Sequence, residues 1–476
     1  MRGAEPRRLV APAAERAAWL LAAAVALGPC AARADEAALL RKVEQLEARL
    51  EQLETERDAE RAELETRVRE LETGAASASP GRASDWTRRI RLSGSANLGY
   101  YDGDENSGLD EGSFEVWDAR LFVDADLGRD VTLGETRLLR DVGFAFEANV
   151  VRLGRLQSDD FQAGLVGEAY VDFQGIADSG WLNLQAGRFQ IPVGENYLRF
   201  SRGYASNPFV SNTVGGAWWW DEGLRAYGSG LDGKLGYVAS VSNGDTDFGG
   251  DADAAKQLTL KLWTEPWPWL HLSASALRTG TLGSPGEAAD GALWLGETWA
   301  TPVGSMSPLP TFAHGVRVAD GPNELRDTYY FGADAIVRFE DAARLWLSYG
   351  TYGLGADGPS RYDRRLHQWV AELVLEGALA SSSLRPFYLG LRANGLGTYD
   401  RDEGYLLDVR QSRTIGYNAR ALDVYSLVLG WRISDRLTLK AEYGIVNVEL
   451  VRGVTRSIES ASGANDAFAV ELGAQF

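Results

Sequence analysis

Cysteine is almost absent from this chain: one residue in 476, Cys30. Disulfides and thiolate metal sites are therefore excluded as organising features. Histidine is nearly as scarce. His271, His314 and His367 stand far apart, and no H-x-x-x-H pair exists. No metal or cofactor is expected. A basic excess is missing too. Lys and Arg number 48 against 67 Asp and Glu, for a formal charge of -19, which argues against a nucleic-acid binder. Finally, long apolar runs are lacking. The run from Ala17 to Leu27 is too short to span a bilayer, and a mean hydropathy of -0.23 is far too polar for a helical membrane protein.

The first residues still carry a message. Arg2, Arg7, Arg8 and Arg16 precede the apolar run, and Ala32-Arg33-Ala34 precedes the acidic start at Asp35-Glu36. That is the layout of a secretory signal peptide, residues 1–34. Its removal would take away Cys30 and leave the chain more acidic, because five arginines go with two glutamates. Leu39, Val43, Leu46, Leu50 and Leu53 then recur at alternating spacings of four and three. This a/d seam predicts a short α-helical coiled coil over 35–73, with its register shifting after Leu53. Residues 74–88 begin as a small-residue linker, GAASASPGRAS.

From residue 89 the period changes to two. Ile90, Leu92, Gly94, Ala96, Leu98 and Tyr100 alternate with Arg89, Arg91, Ser93, Ser95 and Asn97. Sixteen such segments follow one another to Phe476, whose alternating strand (Phe468, Val470, Leu472, Ala474, Phe476) resembles a barrel assembly signal. The gaps between segments alternate long and short, as extracellular loops and periplasmic turns do. The gap at 128–141 breaks that rhythm. Abundant glycine (54) and tryptophan (15) suit barrel bends and interfacial girdles. The expected fold is all-β: a 16-stranded antiparallel transmembrane β-barrel over 89–476. It would lie in a bacterial outer membrane, among its lipids, with the coiled coil in the periplasm.

Several stretches resemble the phosphate-selective porin O and P family. Leu184 to Gly194 (LQAGRFQIPVG) is similar to the strand entering that family's third loop, and Gly236 to Gly244 (GYVASVSNG) to its Tyr…Asn-Gly strand. Leu258 to Arg278, with Pro266 between two strands, looks like the following hairpin. The resemblance implies a trimeric sixteen-stranded porin with the third loop folded into the lumen. Phosphate-selective members carry an arginine ladder with lysine at the narrowest point; here no lysine falls within 191–221.

The third long gap, 191–221, is the expected constriction. It offers Glu195, Tyr197, Arg199, Arg202, Tyr204 and Asp221, with Trp218 to Trp220 near its end. Fixed charges at a narrowing select ions and steer polar solutes. Strand parity points Arg120, Glu168, Asp172, Arg225, Arg338, Arg392, Arg432 and Lys440 inward. The expected partners are small hydrophilic solutes, or anions such as phosphate, and further copies of the chain as a homotrimer. A sugar channel with stacking loop aromatics and a structural tether are the alternatives. An enzyme is not expected, His271 with Ser273 and Ser275 being the one arrangement that could catalyse hydrolysis. Acidic runs at Asp102, Asp104, Asn106, Asp110 and at Asp245, Asp247, Asp251, Asp253 lack the EF-hand pattern and read as solvated loops.

Overall fold

The computed structural model describes residues 89–103, 112–150, 166–195, 207–214, 220–244, 255–280, 293–297, 315–318, 324–357, 364–377, 381–399, 405–408, 416–450 and 463–476. The signal peptide, coiled coil and linker read from the sequence lie outside them.

Nineteen strands occur among the described residues. They are β1 (Ile90–Gly103), β2 (Ser113–Leu133), β3 (Thr136–Asn149), β4 (Val166–Gln174), β5 (Asn183–Gln190), β6 (Trp220–Gly230), β7 (Leu235–Ser242), β8 (Gln257–Trp267), β9 (Leu270–Arg278), β10 (Leu293–Glu297), β11 (Gly315–Val318), β12 (Glu324–Phe339), β13 (Ala343–Asp357), β14 (Arg364–Glu376), β15 (Phe387–Thr398), β16 (Tyr405–Asp408), β17 (Gly416–Ser434), β18 (Leu437–Leu450) and β19 (Gly463–Gln475). Sixteen of them form one closed antiparallel ring. β9 pairs with β12, β15 with β17, and β1 with both β2 and β19. β10 and β11 make a separate hairpin, and β16 pairs antiparallel with the first residues of β17.

The β1–β19 ladder runs from Ser95 opposite Gln475 to Gly103 opposite Ala467, and Phe476 extends it. Phe476 donates its N–H to the Gly94 carbonyl and accepts from the Gly94 N–H, both at 3.1 Å. A Cβ on Gly94 would stand 2.4 Å from the Phe476 ring, so only glycine lets the terminal aromatic lie across the seam.

Burial is inverted relative to a soluble protein. Leu92, Leu258, Phe331 and Leu429 are all more than half exposed on the outer wall, while Asn97, Gln190, Glu372, Asn394 and Glu442 are fully buried inside. A wall with hydrocarbon outside and water or polar groups inside imposes this alternation. Exposed aromatics mark its two ends: Trp181, Trp267, Trp269, Phe339 and Trp431 near the short turns, Phe114, Phe331, Tyr349, Tyr399 and Tyr425 near the long connections. Phe331 and Phe339 share a strand. Their spacing is about 26 Å along it, and roughly 20 Å along the axis at a 40° tilt, close to the height of an outer-membrane apolar band.

The 128–141 exception disappears. β2 and β3 run on past the band and meet at a two-residue turn, Gly134-Glu135. Beyond the wall both faces of this hairpin are exposed, so nothing imposes alternation, and the sequence there reads as a loop. With that correction most even-numbered members of the ring are followed by the shorter kind of connection, the ten residues between β14 and β15 being the exception.

Candidate channel constriction

β5 ends at Gln190 and β6 begins at Trp220. The connection between them touches the inner wall at two distant places. The approach to it is fixed by Gly187, whose φ of +136° and carbonyl neighbour (a Cβ would be 2.3 Å from the Ala169 oxygen) admit no other residue. This is the glycine of the LQAGR stretch.

The near foot is Ile191 to Glu195, lying against β8 and β9. Gly194 donates its N–H to Ser275 Oγ at 3.0 Å, and Lys261 Nζ donates to the Gly194 carbonyl at 2.7 Å. The Glu195 carboxylate then gathers Lys261 Nζ at 2.7 Å, Ser273 Oγ at 2.6 Å and His271 Nε2 at 3.0 Å. Glu195 and Lys261 are both buried. Glu195 is thus a tether of the connection to the wall.

The far foot is Asn207 to Val214, against β14, β15, β17 and β18. Val210 and Ser211 donate their backbone N–H groups to Glu442 Oε2 at 2.6 and 2.9 Å, and Ser211 Oγ donates to its other oxygen. Arg392 Nη2 donates to the Ser211 carbonyl at 2.9 Å, and its guanidinium lies 4.2 Å over the Phe209 ring. Tyr388 donates to the Pro208 carbonyl at 2.7 Å, Lys440 to that of Phe209 at 3.3 Å, and Val214 N–H to Asn394 Oδ1 at 2.8 Å. Phe209 packs on Val374, Tyr388 and Val428. Counting around the ring of sixteen, β15 is eight strands from β5 in either direction. The connection therefore reaches the wall opposite its origin.

Of the expected constriction residues, Tyr197, Arg199, Arg202 and Tyr204 lie outside the described residues, as do Trp218 and Trp219. Asp221 is fully buried. It accepts from Gly244 N–H at 2.7 Å and Gln257 Nε2 at 3.4 Å, fastening the start of β6 to the next connection. Trp220 is buried as well, which removes it as a stacking platform.

The expected inward residues sit on the inner wall by strand register, mostly in pairs. Arg120 meets Glu147 at 2.7 Å, Arg338 meets Glu265 at 3.2 Å, Arg432 meets Glu376 at 2.5 Å and Lys440 meets Glu471 at 3.0 Å. Arg225 donates to Gln185 Oε1 at 2.5 Å and lies 4.8 Å over the Phe189 ring. Asp172 accepts from Tyr227 at 2.9 Å and from Gln174 at 2.7 Å. Glu168 is buried and accepts from the Gln190 N–H at 3.5 Å. Arg392 and Lys440 face inward but lie beneath the far foot. Sequence reasoning missed Lys261, Ser211, Asn394 and the whole 207–214 contact. His271 has one ring nitrogen on Glu195 and the other on Glu265, at 3.2 Å. Ser273 Oγ bonds Glu195. Among the described residues no three His, Asp or Glu side chains converge as a metal site. The acidic loop clusters other than Asp102 lie outside those residues.

No protein-family model matches the chain, and no curated protein matches its sequence. Solved structures do. The outer membrane channel DcaP of Acinetobacter baumannii superimposes with a TM-score of 0.50 at 11% identity, over 81% of this chain and 97% of that one. The anion-selective porin from Comamonas acidovorans gives 0.46 at 11% identity, over 81% and 99%, and Pseudomonas putida OprB gives 0.46 at 12%, over 82% and 95%. At such identity the likeness to DcaP is one of fold.

Proposed function

We propose that this chain is an outer-membrane porin: a water-filled barrel, open to small hydrophilic solutes, that is narrowed by its third long connection. The long connections face outward and the short turns the periplasm, where both ends of the barrel domain lie. Further copies would complete a homotrimer, as the motif resemblance implies. The observation that carries the reading is the connection from β5 to β6, tied by Glu195 to one wall and by Glu442 to the opposite one.

The inner wall favours general diffusion over a phosphate relay. Phosphate recognition needs clustered guanidinium donors with capacity to spare. Here Arg120, Arg338 and Arg432 are each committed to a glutamate, and Arg392 to the far foot. No catalytic step is assigned, because His271 spends both nitrogens on carboxylates and Ser273 is engaged by Glu195. Planar-bilayer recording of the purified protein tests the proposal. Stepwise ohmic conductance in KCl, with no saturation or block by millimolar phosphate, is expected. Absence of conductance would leave a structural tether as the better reading.

A further inference from the structure

Two charges on the inner wall depart from its habit of pairing. Arg120, Arg338, Arg344 and Arg432 each meet a glutamate at 3.2 Å or less. Arg225 meets no carboxylate among the described residues. It is buried, and its contacts are neutral. Nε donates to Gln185 Oε1 at 2.5 Å and Nη1 to the Gln190 carbonyl at 3.1 Å. The guanidinium lies over the Phe189 ring at 4.8 Å and the Tyr170 ring at 5.5 Å.

Asp172 is the reverse case. It is half-buried, and it meets no cation among the described residues. The Tyr227 hydroxyl donates to its carboxylate, 3.0 and 2.9 Å from the two oxygens, and Gln174 Nε2 donates to one of them at 2.7 Å.

Asp172, Gln185 and Arg225 form one row across β4, β5 and β6. Opposite charges this near gain by joining. Here they are held apart, because Gln185 stands between them and takes the Arg225 Nε–H. Each keeps capacity to spare. Arg225 uses two of its five N–H donors among the described residues, and a carboxylate can accept about four hydrogen bonds. A buried charge without a counter-charge is costly, so a solute that brings both missing charges is stabilised at both ends.

The dimensions select its class. Two strand spacings separate the ends of the row, about 10 Å. An α-amino acid held at each end by a charge-assisted contact of about 2.8 Å spans roughly 8–9 Å from carboxylate to guanidinium. We infer that this row is a binding subsite for a zwitterionic α-amino acid. Its ammonium lies on Asp172, its carboxylate on Arg225, and its side chain points to the bore. Phosphate would answer Arg225 and be repelled by Asp172; a sugar answers neither charge. Through the Gln190 carbonyl, Arg225 is tied to the last residue of β5, where the lumen-crossing connection begins. The inference rests on the porin reading, which puts this wall on the solute path.

The test is planar-bilayer recording of the full-length protein in KCl at neutral pH, with millimolar L-glutamine added. Ethylammonium and acetate, each carrying one of the two charges, are the controls. L-Glutamine lowers the wild-type conductance saturably, and neither control does so at the same concentration. In Asp172→Asn and in Arg225→Gln the half-blocking concentration rises about tenfold, the worth of one charge-assisted contact, read against each variant's own open conductance. Asp172→Asn keeps the side chain's shape and an oxygen for Tyr227, so it carries the test even where Arg225→Gln does not assemble. No block by L-glutamine, or equal block in wild type and Asp172→Asn, would overturn the inference. So would block by acetate that survives in Asp172→Asn, which would mark a plain anion site. Missing KCl conductance in wild type counts against the porin reading instead; conductance without block counts against this subsite alone.

Discussion

The two feet of the lumen-crossing connection hold by opposite chemistry. At the near foot the connection supplies the charge. Glu195 enters a wall pocket of Lys261, His271 and Ser273. At the far foot the wall supplies the charges, Glu442, Arg392 and Lys440, and the connection supplies backbone N–H and C=O groups and the Phe209 ring. The leash lengths differ as well. Glu195 follows the end of β5 by five residues, whereas Phe209 follows it by nineteen. A short leash with a buried ion pair governs stability. A long leash held by backbone groups governs where the connection lies and, under the proposed function, the bore.

That contrast can be broken at either end. The largest expected effect on stability comes from Glu195→Leu. It strands the buried Lys261 ammonium without its carboxylate, at about 3–5 kcal/mol, read as a lower urea midpoint in detergent. Conductance changes little, since the short leash leaves the near foot close to its place. Glu442→Gln costs less, about 1–3 kcal/mol, because an amide oxygen in the place of Oε2 can still accept both N–H groups and only the charge that strengthens those bonds is lost. Its single-channel conductance rises further, since the far foot loosens. A larger conductance change in the Glu195 variant than in the Glu442 variant would reverse the comparison.

Strand number and position were legible because lipid outside and polar groups inside impose a period of two that survives in each segment. The β2–β3 hairpin was illegible where it leaves the band, since residues such as Arg129, Val131 and Leu138 answer to water on both faces. Glu195 was singled out as a pore charge, and burial gives it a different task. The far foot was hidden for another reason: Asn207 to Val214 reads as an ordinary loop, and Glu442 lies 232 residues from Val210. A trace existed in the wall. In Leu427-Val428-Leu429 both faces are apolar, with Val428 fully buried inward and its neighbours exposed outward. A barrel strand that is apolar on its lumen side needs something covering it, and here that is Phe209.

The central claim is that the connection between β5 and β6 lies across the bore, and single-channel conductance tests it most directly. Wild type and a variant lacking residues 196–216 are recorded side by side in KCl. The deletion removes the far foot and keeps Glu195, so the barrel closes as before. A clearly larger conductance in the deletion is expected; equal conductance in the two proteins would contradict the account.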